Sequence, residues 1–83
     1  MPWLSQKAYV TLGQRLAEIR RQAGVSQDQL AARLRKPQSF VSAYERGQRR
    51  VDLLELLAIA DALAREPEEV FTQILAALRS STL

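Results

Sequence analysis

Neither cysteine nor histidine occurs anywhere in the 83 residues. The first absence rules out disulfides, thiol nucleophiles and sulfur-ligated metal. The second removes the commonest metal ligand and the commonest general base. No paired-carboxylate cleft is evident either, so acid–base or metal catalysis has no groups to work with, and no cofactor is called for. No apolar run approaches the roughly 20 residues needed to cross a bilayer. The opening MPWLSQKAYV lacks the basic start and long apolar stretch of a signal peptide, which makes a cytoplasmic location the expectation. Internal repeats, low-complexity tracts and linkers are also missing. The expectation is one domain, residues 1–83, with a single modest core.

What is present is charge of uneven sign. Residues 1–50 hold ten Lys/Arg against three acids, net +7, and residues 51–83 hold two arginines against six acids, net −4. Such polarity either offers one face to a polyanion and another to something else, or is the ordinary scatter of a solvated helical surface.

No alternating strand pattern survives more than a few residues, and helical periods run throughout. Leu12, Leu16, Ile19 and Ala23 make the stripe of a first helix that Gly24 stops. Ser5 can cap an early start, with Tyr9 on the stripe, or Thr11 a later one; Trp3 and Leu4 then form a staple or a separate arm. Ser26 with Gln29 has capping-box spacing and opens a second helix, whose inner face is Leu30, Ala31 and Leu34. A third helix should start with Pro37 at its first position, bury Val41 and Tyr44, and stop at Gly47. So short a connection, through Arg35 and Lys36, imposes a sharp angle between the second and third helices. Asp52 with Glu55 repeats the cap spacing and opens a fourth helix, with Leu53, Leu56, Leu57, Ala60 and Leu63 along one side. Pro67 opens a fifth, where Glu66, Glu68 and Glu69 sit favourably at the positive end. Val70, Phe71, Ile74, Leu75 and Leu78 recur through it, with Val70 and Phe71 expected to pack within the chain.

Two short helices at a sharp angle fit a helix-turn-helix, in which the later helix lies in the major groove and the earlier crosses the backbone. The small Ala31 suits the crossing, and Val41 can anchor the reading helix. Its outward face offers Gln38, Ser39, Ser42 and Ala43. Glutamine can pair with adenine in bidentate fashion, serine serves several bases, and alanine can meet a thymine methyl.

LGQRLAEIRRQAGVSQDQLAARL, then PQSFVSAYERGQRR and DLLELLAIADAL, resembles the Cro-repressor-like, or XRE, helix-turn-helix family over about residues 12–71. The GVSQDQLA entry, the S-x-x-ERG exit (Ser42, Glu45, Arg46, Gly47) and the leucine-rich fourth helix recur in that order. The resemblance implies an all-α, five-helix lambda-repressor-like DNA-binding domain, with residues 72–83 as a C-terminal helix extension. It implies base reading by Gln38, Ser39, Ser42 and Ala43, a phosphate clamp at Gln27, and backbone contact by Gln48, Arg49 and Arg50. Lys36 adds phosphate-seeking charge, and Arg35 and Arg46 are further candidates for DNA contact. Two departures stand out. Arg35 occupies a turn position where the family often has glycine, which demands a strained backbone or a larger turn. Pro37 replaces the usual serine or threonine cap.

Other residues read in more than one way. Phe40 either joins the core or stands exposed against a sugar or thymine methyl. Tyr44 is expected in the core with its hydroxyl at the rim, and Glu45 is expected to pair with an arginine. Arg15, Arg20 and Arg21 are expected at the solvent. The wide apolar stripe of the fifth helix suggests that Ile74, Leu75 and Leu78, with parts of the fourth helix, meet a second subunit. The expected function is a homodimeric transcriptional regulator, a repressor or autoregulator, on double-stranded DNA. The competing class is an antitoxin-like module with a protein partner and secondary DNA binding.

Overall fold

The computed structural model describes residues 2–81, so the last two residues of the 72–83 extension lie outside the described residues. A 3-10 turn, Pro2–Leu4, leads into five helices: α1 Gln6–Gln22, α2 Gln27–Leu34, α3 Gln38–Glu45, α4 Leu53–Ala62 and α5 Pro67–Ser80. No strand occurs among the described residues.

Local chemistry sets the boundaries. Of the two candidate starts for α1, Ser5 is the cap, its hydroxyl accepting from the Ala8 amide. Trp3 and Leu4 remain exposed in the turn packed against α1. Both expected capping boxes form reciprocally, Ser26 with Gln29 and Asp52 with Glu55. Helix α2 ends on Arg35 in the left-handed region (φ 56°), so the chain takes the strained option and keeps a short turn. The Lys36 amide reaches back to the Ala31 carbonyl, completing the closure that glycine normally makes. Ala64 does the same at the end of α4, with φ 55°. Pro37 is not the first residue of α3 but its cap: ψ of 153° keeps it extended, and the helix starts one residue later, at Gln38. In α5, Pro67 does occupy the first turn.

Leu16, Ile19, Leu30, Ala31, Val41, Tyr44, Ile59, Ala60, Leu63, Val70 and Ile74 share one core. Helix α3 packs on α1 and α2, while α4 packs on α2 and α5. The crossing of α1 and α3 depends on Gly13. A Cβ there would collide with the Tyr44 carbonyl and lie 2.6 Å from that of Glu45.

Several expected faces are rotated. In α4 the inward residues are Ile59, Ala60 and Leu63, with Leu56 half-buried, whereas Leu53 and Leu57 face outward with Leu54. A helix apolar nearly all round carries little information about which side is core. Phe71 is 53 % exposed, contrary to its expected packing within the chain. Ile74 is only 3 % exposed: Val70 and Ile74, one turn apart, seat α5 in its own core, which leaves Ile74 no surface for a partner. Leu75 and Leu78 are half-buried. The Tyr44 hydroxyl lies inside rather than at the rim and has no hydrogen-bond partner among the described residues. Burial, then the charge of Glu45, raises its pKa well above the usual phenol value.

Candidate nucleic-acid interface

Helix α3 divides cleanly. Phe40, Val41, Tyr44 and Glu45 are buried, while Gln38 and Ser39 are exposed and Ser42 and Ala43 half-buried. The four expected base readers therefore occupy one outward strip at helical spacing. Phe40 belongs to the core at 8 % exposure, its ring edge-on to Tyr44 with centroids 5.5 Å apart. Exposure against a sugar or thymine methyl is thus excluded for Phe40 in this structure.

Behind the strip lies a buried ion pair. Arg20 Nε donates to Glu45 Oε2 at 2.7 Å and Nη2 to Oε1 at 3.0 Å, while Nη1 donates to the Val25 carbonyl at 3.0 Å. The expected partner for Glu45 is present, but Arg20 is buried and not at the solvent. The hydrogen bond from Arg20 to Glu45 holds the guanidinium above its ordinary pKa, against the opposing effect of burial. The chain continues outward: Gln27 Nε2 donates to Glu45 Oε1 at 2.8 Å, and Gln38 Nε2 donates to Gln27 Oε1 at 2.6 Å. A rigid internal charge pair thus orients the half-buried Gln27, which in turn orients the first side chain of α3. A side chain held by such a hydrogen bond has less entropy to lose on any further contact.

The cations differ in how firmly they are held. Arg49 makes a bidentate ion pair with Glu55, Nη2–Oε2 2.8 Å and Nη1–Oε1 3.0 Å, and its guanidinium lies 4.4 Å from the Phe40 ring centroid. That pair, with the amide of Asp52, keeps the Glu55 carboxyl below the usual range. The Lys36 ammonium sits 5.6 Å from the Phe40 centroid, and the Arg50 guanidinium lies 5.3 Å over the Tyr9 ring. Gln48, Arg35 and Arg46 are exposed. Gly47, at φ +75°, packs so closely on the Val10 backbone that a Cβ would lie 2.8 Å from it, and its carbonyl accepts from Gln6 Nε2 at 3.1 Å. The first turns of α1 therefore hold the segment that carries Gln48 to Arg50.

Sequence reasoning missed the parts played by Arg20, Gly13 and Glu55. The signal for Arg20 was present, since it sits four residues after Leu16 and three before Ala23, inside the apolar stripe. A glycine inside a helix marks close backbone approach, and that applies to Gly13. Glu55 looked complete as a capping residue, which concealed its second partner.

Among the described residues no cluster of acids could hold a metal ion, and no helix is long and apolar enough to cross a membrane. An anchored short helix with a polar outward strip, set sharply after a capped helix, defines a helix-turn-helix domain. A helix-turn-helix family model matches residues 16–70. Over 76 % of this chain and 96 % of the other, the structure is similar to the restriction-modification controller protein C.AhdI from Aeromonas hydrophila, at 46 % identity and TM-score 0.70. An XRE-family like protein from Pseudomonas syringae pv. tomato str. DC3000 matches at 37 % identity and TM-score 0.74, covering 84 % of this chain and 85 % of that one. The clp gene regulator ClgR from C. glutamicum matches at 26 % identity and TM-score 0.77, covering 84 % and 91 %. No functionally curated protein matches significantly. The chain belongs to the XRE-type helix-turn-helix family of DNA-binding transcription regulators, which bind double-stranded DNA and are not enzymes.

Proposed function

We propose that this single domain acts as a homodimeric repressor or autoregulator that reads a near-palindromic operator through the major groove. Gln38, Ser39, Ser42 and Ala43 meet base edges, while Gln27, Lys36, Gln48 and Arg50 hold phosphates, with Arg35 and Arg46 flanking them. The observation that carries this reading is the chain Arg20–Glu45–Gln27–Gln38, which fixes a polar reader at the outer end of a buried ion pair. A solvated surface glutamine has no need of such support.

One domain offers few base contacts, and a good bidentate contact discriminates by only about 1–3 kcal/mol. Two copies double that. The exposed apolar residues Leu53, Leu54, Leu57 and Phe71 lie on α4 and α5, which pack together, and Leu75 is one turn from Phe71. The acidity of this half of the chain suits it poorly to DNA, and its exposed apolar residues suit it to a second copy. The interface therefore moves from Ile74, Leu75 and Leu78 towards Leu53, Leu54, Leu57 and Phe71, with Leu75 at its margin. The relationship to the Aeromonas protein favours a restriction–modification controller among such regulators.

Selection of bound duplexes from a random library tests the reading. The expected result is an inverted repeat whose half-site centres lie about 34 Å apart, roughly one helical turn. Failure to enrich any sequence at low salt would overturn it. An enriched site lying beside restriction and methyltransferase genes is the outcome expected for a controller.

A further inference from the structure

We propose that Arg49 is a positioning residue for DNA reading: with Phe40 and Glu55 it forms a strut that fixes α3 against α4, and it does not serve as a phosphate ligand. The inference rests on α3 being the groove-reading helix, and it removes Arg49 from the phosphate contacts that family resemblance implies.

Helix α3 packs on α1 and α2, and α4 on α2 and α5. The Arg49 side chain spans the space between α3 and α4, its flat face 4.4 Å from the ring of Phe40 on α3 and its fork on both carboxylate oxygens of Glu55 on α4. Each end is itself anchored. Phe40 is buried and edge-on to Tyr44. Glu55 Oε1 also accepts from the Asp52 amide at 2.9 Å, which ties it to the first turn of α4. A guanidinium whose fork is held by a carboxylate can present that fork to a phosphate only by loosening the ion pair. Arg50, one residue on, differs: it lies over the Tyr9 ring and makes no ion pair among the described residues. Two adjacent exposed arginines thus differ in one respect: Arg49 is tied to a carboxylate, and Arg50 makes no ion pair among the described residues.

The strut runs between the helix that reads bases and the helix that carries Leu53, Leu54 and Leu57. In a dimer joined through that apolar face, the distance between the two reading helices depends on how firmly α3 is held to α4. The opposite arrangement would make Glu55 a competitor that holds Arg49 back from DNA and releases it on binding. The two arrangements give opposite signs for one substitution.

Glu55→Gln keeps a residue that completes the capping box and removes the charge that grips Arg49. On the operator obtained by selection, E55Q should bind about tenfold more weakly, with the salt dependence of wild type. It should also discriminate less against an operator with one base pair inserted between half-sites, because a loosened α3 accepts altered spacing. Arg49→Lys retains charge without the fork and should behave like E55Q. Arg50→Ala should instead flatten the salt dependence by about one phosphate's worth. Tighter binding by E55Q with a steeper salt dependence would overturn the strut, as would R49K matching wild type in affinity and spacing preference. A wild-type chain with no preferred site would overturn the reading of α3 itself and the strut with it. A site-selective wild type equalled by E55Q would overturn the strut alone.

Discussion

The side of the molecule built from α1 to α3 and the side built from α4 and α5 solve opposite problems. In the first, polar groups face outward and are disciplined from within: a buried arginine and glutamate hold a glutamine, which holds another glutamine at the surface. In the second, apolar groups face outward, Leu53 and Leu54 being 73 % and 75 % exposed. Buried charge gives directional constraint at a high desolvation cost, whereas exposed apolar surface gives non-directional attraction that a partner must satisfy. The difference implies that geometry is specified on one side and association on the other.

Removing the internal charge pair should have the largest effect. Glu45→Ala leaves the Arg20 guanidinium buried without its partner and should cost about 3–5 kcal/mol of unfolding free energy, measured by urea titration. A cost near that of an ordinary surface substitution would show that the pair is dispensable and erase the contrast. Breaking the other side should leave the fold intact. Leu54→Glu alters a side chain already in solvent, so the expected product is a folded monomer whose operator affinity falls about a hundredfold, or roughly 2.7 kcal/mol. Sedimentation showing a persistent dimer would move the interface elsewhere. The smallest and most selective effect belongs to Gln38→Ala. Binding to the selected site should weaken by about 1–3 kcal/mol while binding to random duplex barely changes. Equal losses on both would remove Gln38 from the base readers.

The same contrast explains what could be read from the sequence. Both capping boxes and the outward strip of α3 follow from short-range rules that name particular residues. Arg35, by contrast, left a strained turn and a larger one both open until the backbone settled it at φ 56°. Family resemblance supplied the positions of the readers, and those positions form a coherent face. The orientation of α4 did not emerge because Leu53 to Leu57 offer an apolar residue at almost every angle, so only tertiary packing decides which side is buried. Ile74 was assigned to a partner for a similar reason: a stripe wider than one core needs does not reveal which edge is surplus. Charge argues for Arg20 at the solvent and its place in the stripe argues for burial; an internal carboxylate partner decides for burial. Tyr44 shows the limit of the residue-type rule, since its enclosed hydroxyl finds, among the described residues, no partner of the kind buried phenols usually have.

At Gly13 a hydrogen atom stands where every other residue would put carbon, and the carbonyls of Tyr44 and Glu45 occupy that space. The last turn of α3 rests directly on the α1 backbone, with no side chain as a spacer. How far the outer strip protrudes is therefore governed by a position that carries no recognition chemistry at all. Even a methyl group at 13 would act as a shim, lifting the end of α3 and tilting its outward strip.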